Sequence, residues 1–133
     1  MSTRTLSDYF EAMTAAVFQS GLSAQVVQAK WSGFEEAFSG FDPRVVAQFT
    51  PEDVDRLVSD PSIIRNRRKV EATIHNANRI LDLDQDGGFG KWLDSFGNDE
   101  ARAEGMRNEF KFLGPSGIST FFHMVSDDDQ EVC

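Results

Sequence analysis

The stretch Ile63-Ile64-Arg65-Asn66-Arg67-Arg68-Lys69 gathers four cations in a chain that is otherwise acidic. Two apolar residues lead into it, and the stripe Val70, Ile74, Ala77, Leu81 leaves it. Steps of four, three and four place that stripe on one helix face. The apolar pair then anchors the run to a core, while the arginines stand at the start of a helix. Planar, permanently charged guanidinium forks in such a position suit phosphate oxygens. A solvated helix start with ion pairs to Asp60 or Glu71 accounts for the same residues without any ligand.

Helical periodicity extends in both directions from this run. Leu6, Phe10, Met13 and Val17 form one face, with Ser7 placed to cap it and Gly21 to end it. Val27, Trp31, Phe34 and Phe38 form the next, with Ser23 as its cap and Gly33 as an interruption. Asp42-Pro43 and Thr50-Pro51-Glu52-Asp53 each set a capping side chain before a proline at the first helical position, and Asp53 stands where a capping box puts an acid. Asp60-Pro61 opens a further turn. Residues 82–90 are acidic and then Gly-rich, which predicts a loop. Residues 91–96 predict a short apolar helical turn and 99–111 a polar helix. Ile118, Phe121, Phe122 and Val125 stripe the last helix. Strand-type alternation is absent, so the expected class is all-α, with a single domain over 1–126 and an acidic C-terminal tail over 127–133.

Composition bounds the rest. The chain has 133 residues, 13 Lys plus Arg against 22 Asp plus Glu, and a net charge of −9. Its 12 Phe and 40% hydrophobic content exclude a disordered acidic polymer and suffice for one core. One cysteine excludes an internal disulfide framework and a Cys-rich zinc module. The start Met1-Ser2-Thr3-Arg4-Thr5 lacks a signal-peptide apolar core, and no apolar run reaches membrane-spanning length, so the expectation is a soluble cytoplasmic protein with no membrane contact. The charge argues against nucleic-acid binding over the whole surface, yet the sum conceals the cationic knot at 65–69.

Two further segments bear on chemistry. Phe110-Lys111-Phe112-Leu113-Gly114-Pro115-Ser116-Gly117 reads as helix, tight glycine turn, helix. Glycines allow close backbone approach, and the N–H groups at the next helix start suit an anion. An ordinary helix connection has the same composition. Asp127-Asp128-Asp129-Gln130-Glu131, before Cys133, clusters carboxylates able to act on a hard cation or as a base, or simply solvates a terminus. His75 and His123 fit packed or surface positions, and no Ser–His–Asp or Cys–His arrangement stands out.

Several motifs together resemble one family. Gln19-Ser-Gly-Leu-Ser23, Phe38-Ser-Gly-Phe-Asp42-Pro, Asp53-Val-Asp-Arg-Leu57, Ile63-Ile-Arg-Asn-Arg67 with Lys69, Asn76-Ala77 and Phe110-Lys-Phe-Leu-Gly114-Pro are similar to 3-methyladenine DNA glycosylase I, in the family's order and over residues 6–83 and 109–133. The resemblance implies a helix-hairpin-helix DNA glycosylase-like helical bundle that turns a damaged base out of the duplex and cleaves its glycosidic bond in base-excision repair. It implies DNA contacts at Arg65, Arg67, Arg68, Lys69, Lys111, Gly114 and Gly117, and a base pocket near Tyr9, Phe18 and Gln19. By analogy with the wider superfamily, Asp127 or Asp128 would stabilise the developing sugar cation. Because the family's substrate is a cationic base and a good leaving group, the pocket's work is mostly selection by aromatic faces and an acid.

The departures concentrate in that pocket. The family's N-terminal segment, with a zinc-binding Cys and His and several aromatic residues, has no counterpart before Leu6. The base-recognising Glu falls at Ala16 and a Trp at Ala24. Cys133 matches one C-terminal zinc ligand, while the His falls at Asp129, so no zinc cofactor is expected. The stretch between Phe96 and Phe110 is shortened. Trp31 fits the core stripe better than a pocket wall. Three functions follow for comparison: a glycosylase acting on alkylated bases in double-stranded DNA, a catalytically inactive DNA-binding module on the same fold, and a domain that engages a protein partner through its acidic surface.

Overall fold

The computed structural model describes residues 5–85 and 87–131, with side chains described through residue 125. Among these residues the chain forms α-helices, one 3-10 turn and no strand. The helices are α1 (Leu6–Gln19), α2 (Ala24–Ala29), α3 (Trp31–Ala37), α4 (Pro43–Val46), α5 (Pro51–Val58), α6 (Arg67–Leu83), α7 (Phe89–Asp94), α8 (Asp99–Glu109) and α9 (Pro115–Glu131). Helix α1 lies between α6 and α9, while α4 and α5 pack on α6 and α8 packs on α9. The all-α expectation therefore holds.

Helix starts follow side-chain chemistry. Asp42 accepts from the Arg44 N–H, and Thr50 with Asp53 makes the expected capping box ahead of Pro51. Ser23 caps α2 and Asn66 caps α6, each accepting an orphan N–H three residues on. The cap of α1 is Thr5 rather than Ser7. Thr5 Oγ1 accepts from the Asp8 N–H at 3.1 Å, and the Asp8 carboxylate accepts from the Thr5 N–H at 2.9 Å. That reciprocal pair satisfies two donors, which a lone serine one residue inside the helix cannot do.

The second apolar stripe divides at Lys30, not at Gly33. Lys30 Nζ donates to the Pro61 carbonyl at 3.0 Å, tying the break to the Asp60-Pro61 turn. Gly33 is helical, and its lack of a side chain lets α3 pass the Ser62 carbonyl oxygen, which a Cβ there would overlap. The turn itself is held by Asp60, whose carboxylate accepts from the Ser62 N–H and hydroxyl; those bonds keep its pKa below the ordinary carboxylate value.

The core is aromatic. Phe18, Phe34, Phe38 and Phe41 are buried and pack in series, with Trp31 stacked on Phe41 at 5.0 Å. Each fully buried phenyl ring contributes roughly 1.5–3 kcal/mol. Trp31 is half-buried, and its Nε1 donates to Glu11 at 2.8 Å, as suits a core-edge role. Helix α9 continues without a break through Asp127, Asp128 and Asp129 to Glu131, so residue 127 marks no boundary of secondary structure. Cys133 lies outside the described residues.

Candidate nucleic-acid interface

Two segments far apart in sequence meet at one end of α6. Helix α8 ends at Glu109, its C-cap Phe110 has an extended backbone, and α9 begins at Pro115. Phe110 and Leu113 are buried and pin the connection on both sides. Between them Phe112 takes φ +59°, a region that costs a non-glycine residue about 1–2 kcal/mol. Its ring is exposed, and the Arg68 guanidinium carbon lies 5.8 Å from the ring centroid. The cationic run and the hairpin thus share one surface through a cation–π contact.

Asn76 of α6 holds the hairpin in place. It is 1% exposed, and both the oxygen and the nitrogen of its amide bond one backbone residue. Its Oδ1 accepts from the Lys111 N–H at 2.8 Å, and its Nδ2 donates to the Lys111 carbonyl at 3.1 Å. A second tie joins α6 to the end of α8, where Arg79 Nε and Nη2 both donate to Glu109 Oε1. The clamp leaves the start of α9 facing outward. Ile118 N–H bonds the Gly114 carbonyl at 2.9 Å, and the Ser116 and Gly117 N–H groups precede it, where a helix supplies no internal acceptor. Open space surrounds Gly114, whereas Gly117 lets the first turn of α9 pass Leu113, whose Cδ2 would lie 3.4 Å from a Cβ.

The cationic run divides by direction. Arg65, Arg67 and Arg68 are exposed. Arg67 Nη2 pairs with Asp55 of α5 at 2.7 Å, not with Asp60 or Glu71. Among the described residues, Arg65, Arg68 and Lys111 carry no ion-pair partner. Lys69 points inward: it is 6% exposed, and its ammonium donates to the Ser20 carbonyl at 2.6 Å and the Phe18 carbonyl at 3.3 Å. Desolvation pulls its pKa below the ordinary lysine value. Lys69 therefore closes the C-terminus of α1, where a cation meets the negative end of the helix dipole, instead of facing solvent with the arginines.

A groove of about 300 Å³ runs between the turn after α1 and the hairpin. Its walls include Ala16, Gln19, Ser20, Leu22, Phe112 and Thr120. Gly21 makes the turn with φ +79°, a conformation that favours glycine. Of the three residues expected at a base pocket, Gln19 lines this groove. Phe18 is wholly buried, 4.7 Å from the Phe34 ring, and Tyr9 sits elsewhere, edge-on to Phe89 at 5.2 Å. Tyr9 borders a larger hollow of about 670 Å³ between α7, α8 and α9, with Leu93, Ile118 and Phe122. Asp127 and Asp128 follow Gly117 along continuous helix by about 15 Å of rise, and their side chains lie outside the described residues.

Asn76, which the sequence carries in the Asn76-Ala77 motif without an assigned role, is a positioning residue. Its signal was present: an amide on the apolar side of a helix, beside Ala77 and Thr73, must find partners once buried. His75, its neighbour, is half-buried; burial first, and then the Lys111 cation, hold its pKa below the ordinary value. Among the described residues no three His, Cys, Asp or Glu side chains converge as a metal site.

DNA-3-methyladenine glycosylase 1 of Escherichia coli (strain K12) is 42% identical over 78 residues, 59% of this chain and 42% of that protein. The chain spans about half the length, or less, of the curated relatives it matches. A crystal structure of 3-methyladenine DNA glycosylase I superposes with a TM-score of 0.80 at 27% identity, over 91% of this chain and 79% of that one. The Staphylococcus aureus enzyme, solved for its recognition of 3-methyladenine, gives 0.79 at 29% identity, over 91% and 76%. The profile described as methyladenine glycosylase matches residues 2–124, and with the shared fold and hairpin this places the chain in the methyladenine glycosylase family.

Proposed function

We propose that this chain seats duplex DNA on the hairpin and the arginines of α6, and removes alkylated bases by hydrolysis of the N-glycosidic bond, as a base-excision repair protein. The observation that carries the proposal is the Asn76 clamp. Two hydrogen bonds spanning 35 residues hold the Lys111 backbone on α6, and the Arg68 guanidinium lies over the Phe112 ring of the same hairpin; these support a reading in which the start of α9, Arg65, Arg68 and Lys111 face the duplex together. A phosphate on the α9 N-terminus meets unpaired N–H groups and the positive end of the helix dipole. The adjoining groove then stands where a nucleotide turned out of the stack would arrive. Relatives named for 3-methyladenine excision support the choice of substrate class.

The proposal assigns no role to zinc. Of the family's ligand positions, one is Asp129 and the only cysteine is Cys133. Incubating the folded protein with alkylated duplex and measuring released base is the direct test; release above that from the duplex alone supports hydrolysis. A specific observation favours a second reading, binding without hydrolysis. Among the described residues no carboxylate lines the groove, Ala16 stands in its wall, and Phe18 is sealed in the core. Tight binding of alkylated duplex with no base release decides for that reading. A protein partner for the acidic surface would stand alone only if duplex binding failed.

A further inference from the structure

We infer that the hollow between α7, α8 and α9 is a docking groove for a basic amphipathic helix of a protein partner. The inference goes beyond the repair reading and does not depend on it. Pro115, Ile118, Ser119, Phe122 and Val125 line one wall, at the spacing of a single face of α9. Asp99, Glu100, Ala103 and Arg107 line the facing wall, at the spacing of a single face of α8. From Pro115 to Val125 the α9 wall runs for about 15 Å. The hollow of about 670 Å³ is therefore a trough between two helices. An occupant helix of about three turns matches its length.

The walls are tied together without any partner. Arg102 Nε donates to the Leu93 carbonyl at 2.8 Å and its Nη1 to Asp99 at 2.8 Å, which joins α7 to the first turn of α8. Gly105 makes room for the Phe96 ring, which a Cβ there would overlap. The floor is apolar: Leu93 and Ile118 are buried, and Ala103 and Phe122 are half-buried. The rim is sorted by charge. Asp94, Asp99 and Glu100 are exposed around the α7–α8 connection, and Arg107 is exposed in the last turn of α8. Arg102 neutralises Asp99, whereas Asp94 and Glu100 carry no ion-pair partner among the described residues. An apolar helix face displaces water from the floor, and its flanking lysines or arginines meet those two carboxylates. The same rim repels duplex DNA, and a second copy of the chain brings its own net charge of −9.

The test measures binding of labelled helical peptides of about 14 residues to the full chain. The first peptide carries leucines on one face and lysines on the other. A second has glutamates in place of the lysines, and a third has serines in place of the leucines. The wild type binds the first about tenfold or more tighter than either of the others. Asp94→Lys with Glu100→Lys weakens that binding about tenfold or more. Glu35→Lys with Glu36→Lys makes the same change of charge on α3, outside the hollow, and weakens it less than about threefold. Ala103→Phe, its fold checked by thermal unfolding, fills the floor and weakens binding as well. Hydrogen exchange in the complex gains protection at residues 93–103 and 118–125. Equal losses from the two charge reversals, or protection elsewhere, overturn the inference, because the net charge alone then holds the peptide. Failure of the folded wild type to bind the first peptide overturns it too. A wild-type dimer that Ala103→Phe dissociates assigns the hollow to a second copy and also overturns it.

Discussion

Replacing Asn76 with Ala tests the clamp that orients the hairpin. The substitution removes a 2.8 Å and a 3.1 Å hydrogen bond and opens a small void at a site that is 1% exposed. Each such bond is worth about 1 kcal/mol net, and orphaning a buried partner costs more. Lys111 is exposed, so water can repair part of the loss, and the total comes to about 2 kcal/mol. For a domain of this size that lowers Tm by about 5–10 °C. Asn76→Asp is the sharper variant. It keeps an acceptor for the Lys111 N–H but sets a carboxylate oxygen against the Lys111 carbonyl, so at neutral pH it is no more stable than Asn76→Ala. Because the fold requires a donor there, protonation is favoured in the native state, the folded pKa of the new Asp is raised, and the variant recovers stability as pH falls through it. Thermal unfolding, hydrogen exchange at the Lys111 amide and duplex affinity together read the outcome. A folded Asn76→Ala protein with wild-type Lys111 protection and wild-type duplex affinity would refute the clamp.

Other expectations are equally specific. The Arg67→Ala, Arg68→Ala double variant binds duplex more weakly and with a shallower dependence of affinity on salt, measurable by titration at several ionic strengths; an unchanged slope contradicts phosphate contact there. Gly33→Ala destabilises by about 2 kcal/mol or more, because its methyl group meets a backbone carbonyl that cannot rotate aside; denaturant unfolding measures it. His75 has a depressed pKa, so its contribution to stability is full above 6.5 and is lost as pH falls through the folded-state value, and His75→Gln removes that part of the acid-limb slope in unfolding curves. Lys69→Met loosens the turn after α1 and weakens duplex binding more than stability alone explains, whereas Lys69→Arg restores part of the binding.

Most of the fold was legible because its helices announce themselves through caps and periodic apolar faces. Asp42-Pro43, the Thr50 box and the α6 stripe all depend on chemistry within a few residues. Thr5-x-x-Asp8 was equally local, and Ser7 distracted from it only because a serine beside the first apolar residue has the right composition. The break at Lys30 was not legible, since it answers to the Pro61 carbonyl across the fold. The site shows the same division. The hairpin and the arginines could be named from sequence, but the inward turn of Lys69 depends on the exposed carbonyls at the end of α1, which periodicity does not reveal. Phe18 had the right neighbours along the chain for a pocket wall and the wrong helix face, because its ring turns toward Phe34. Asn76 illustrates the reverse: its partners are remote, yet its burial alone demanded them.

The most direct test of the central claim is amide hydrogen exchange of the chain with and without saturating duplex carrying one alkylated base. The account predicts protection concentrated at the hairpin and first turn of α9, residues 112–119, and at residues 65–68 and 19–22. Protection confined to α7 and the outer face of α8, or no change anywhere, would contradict it.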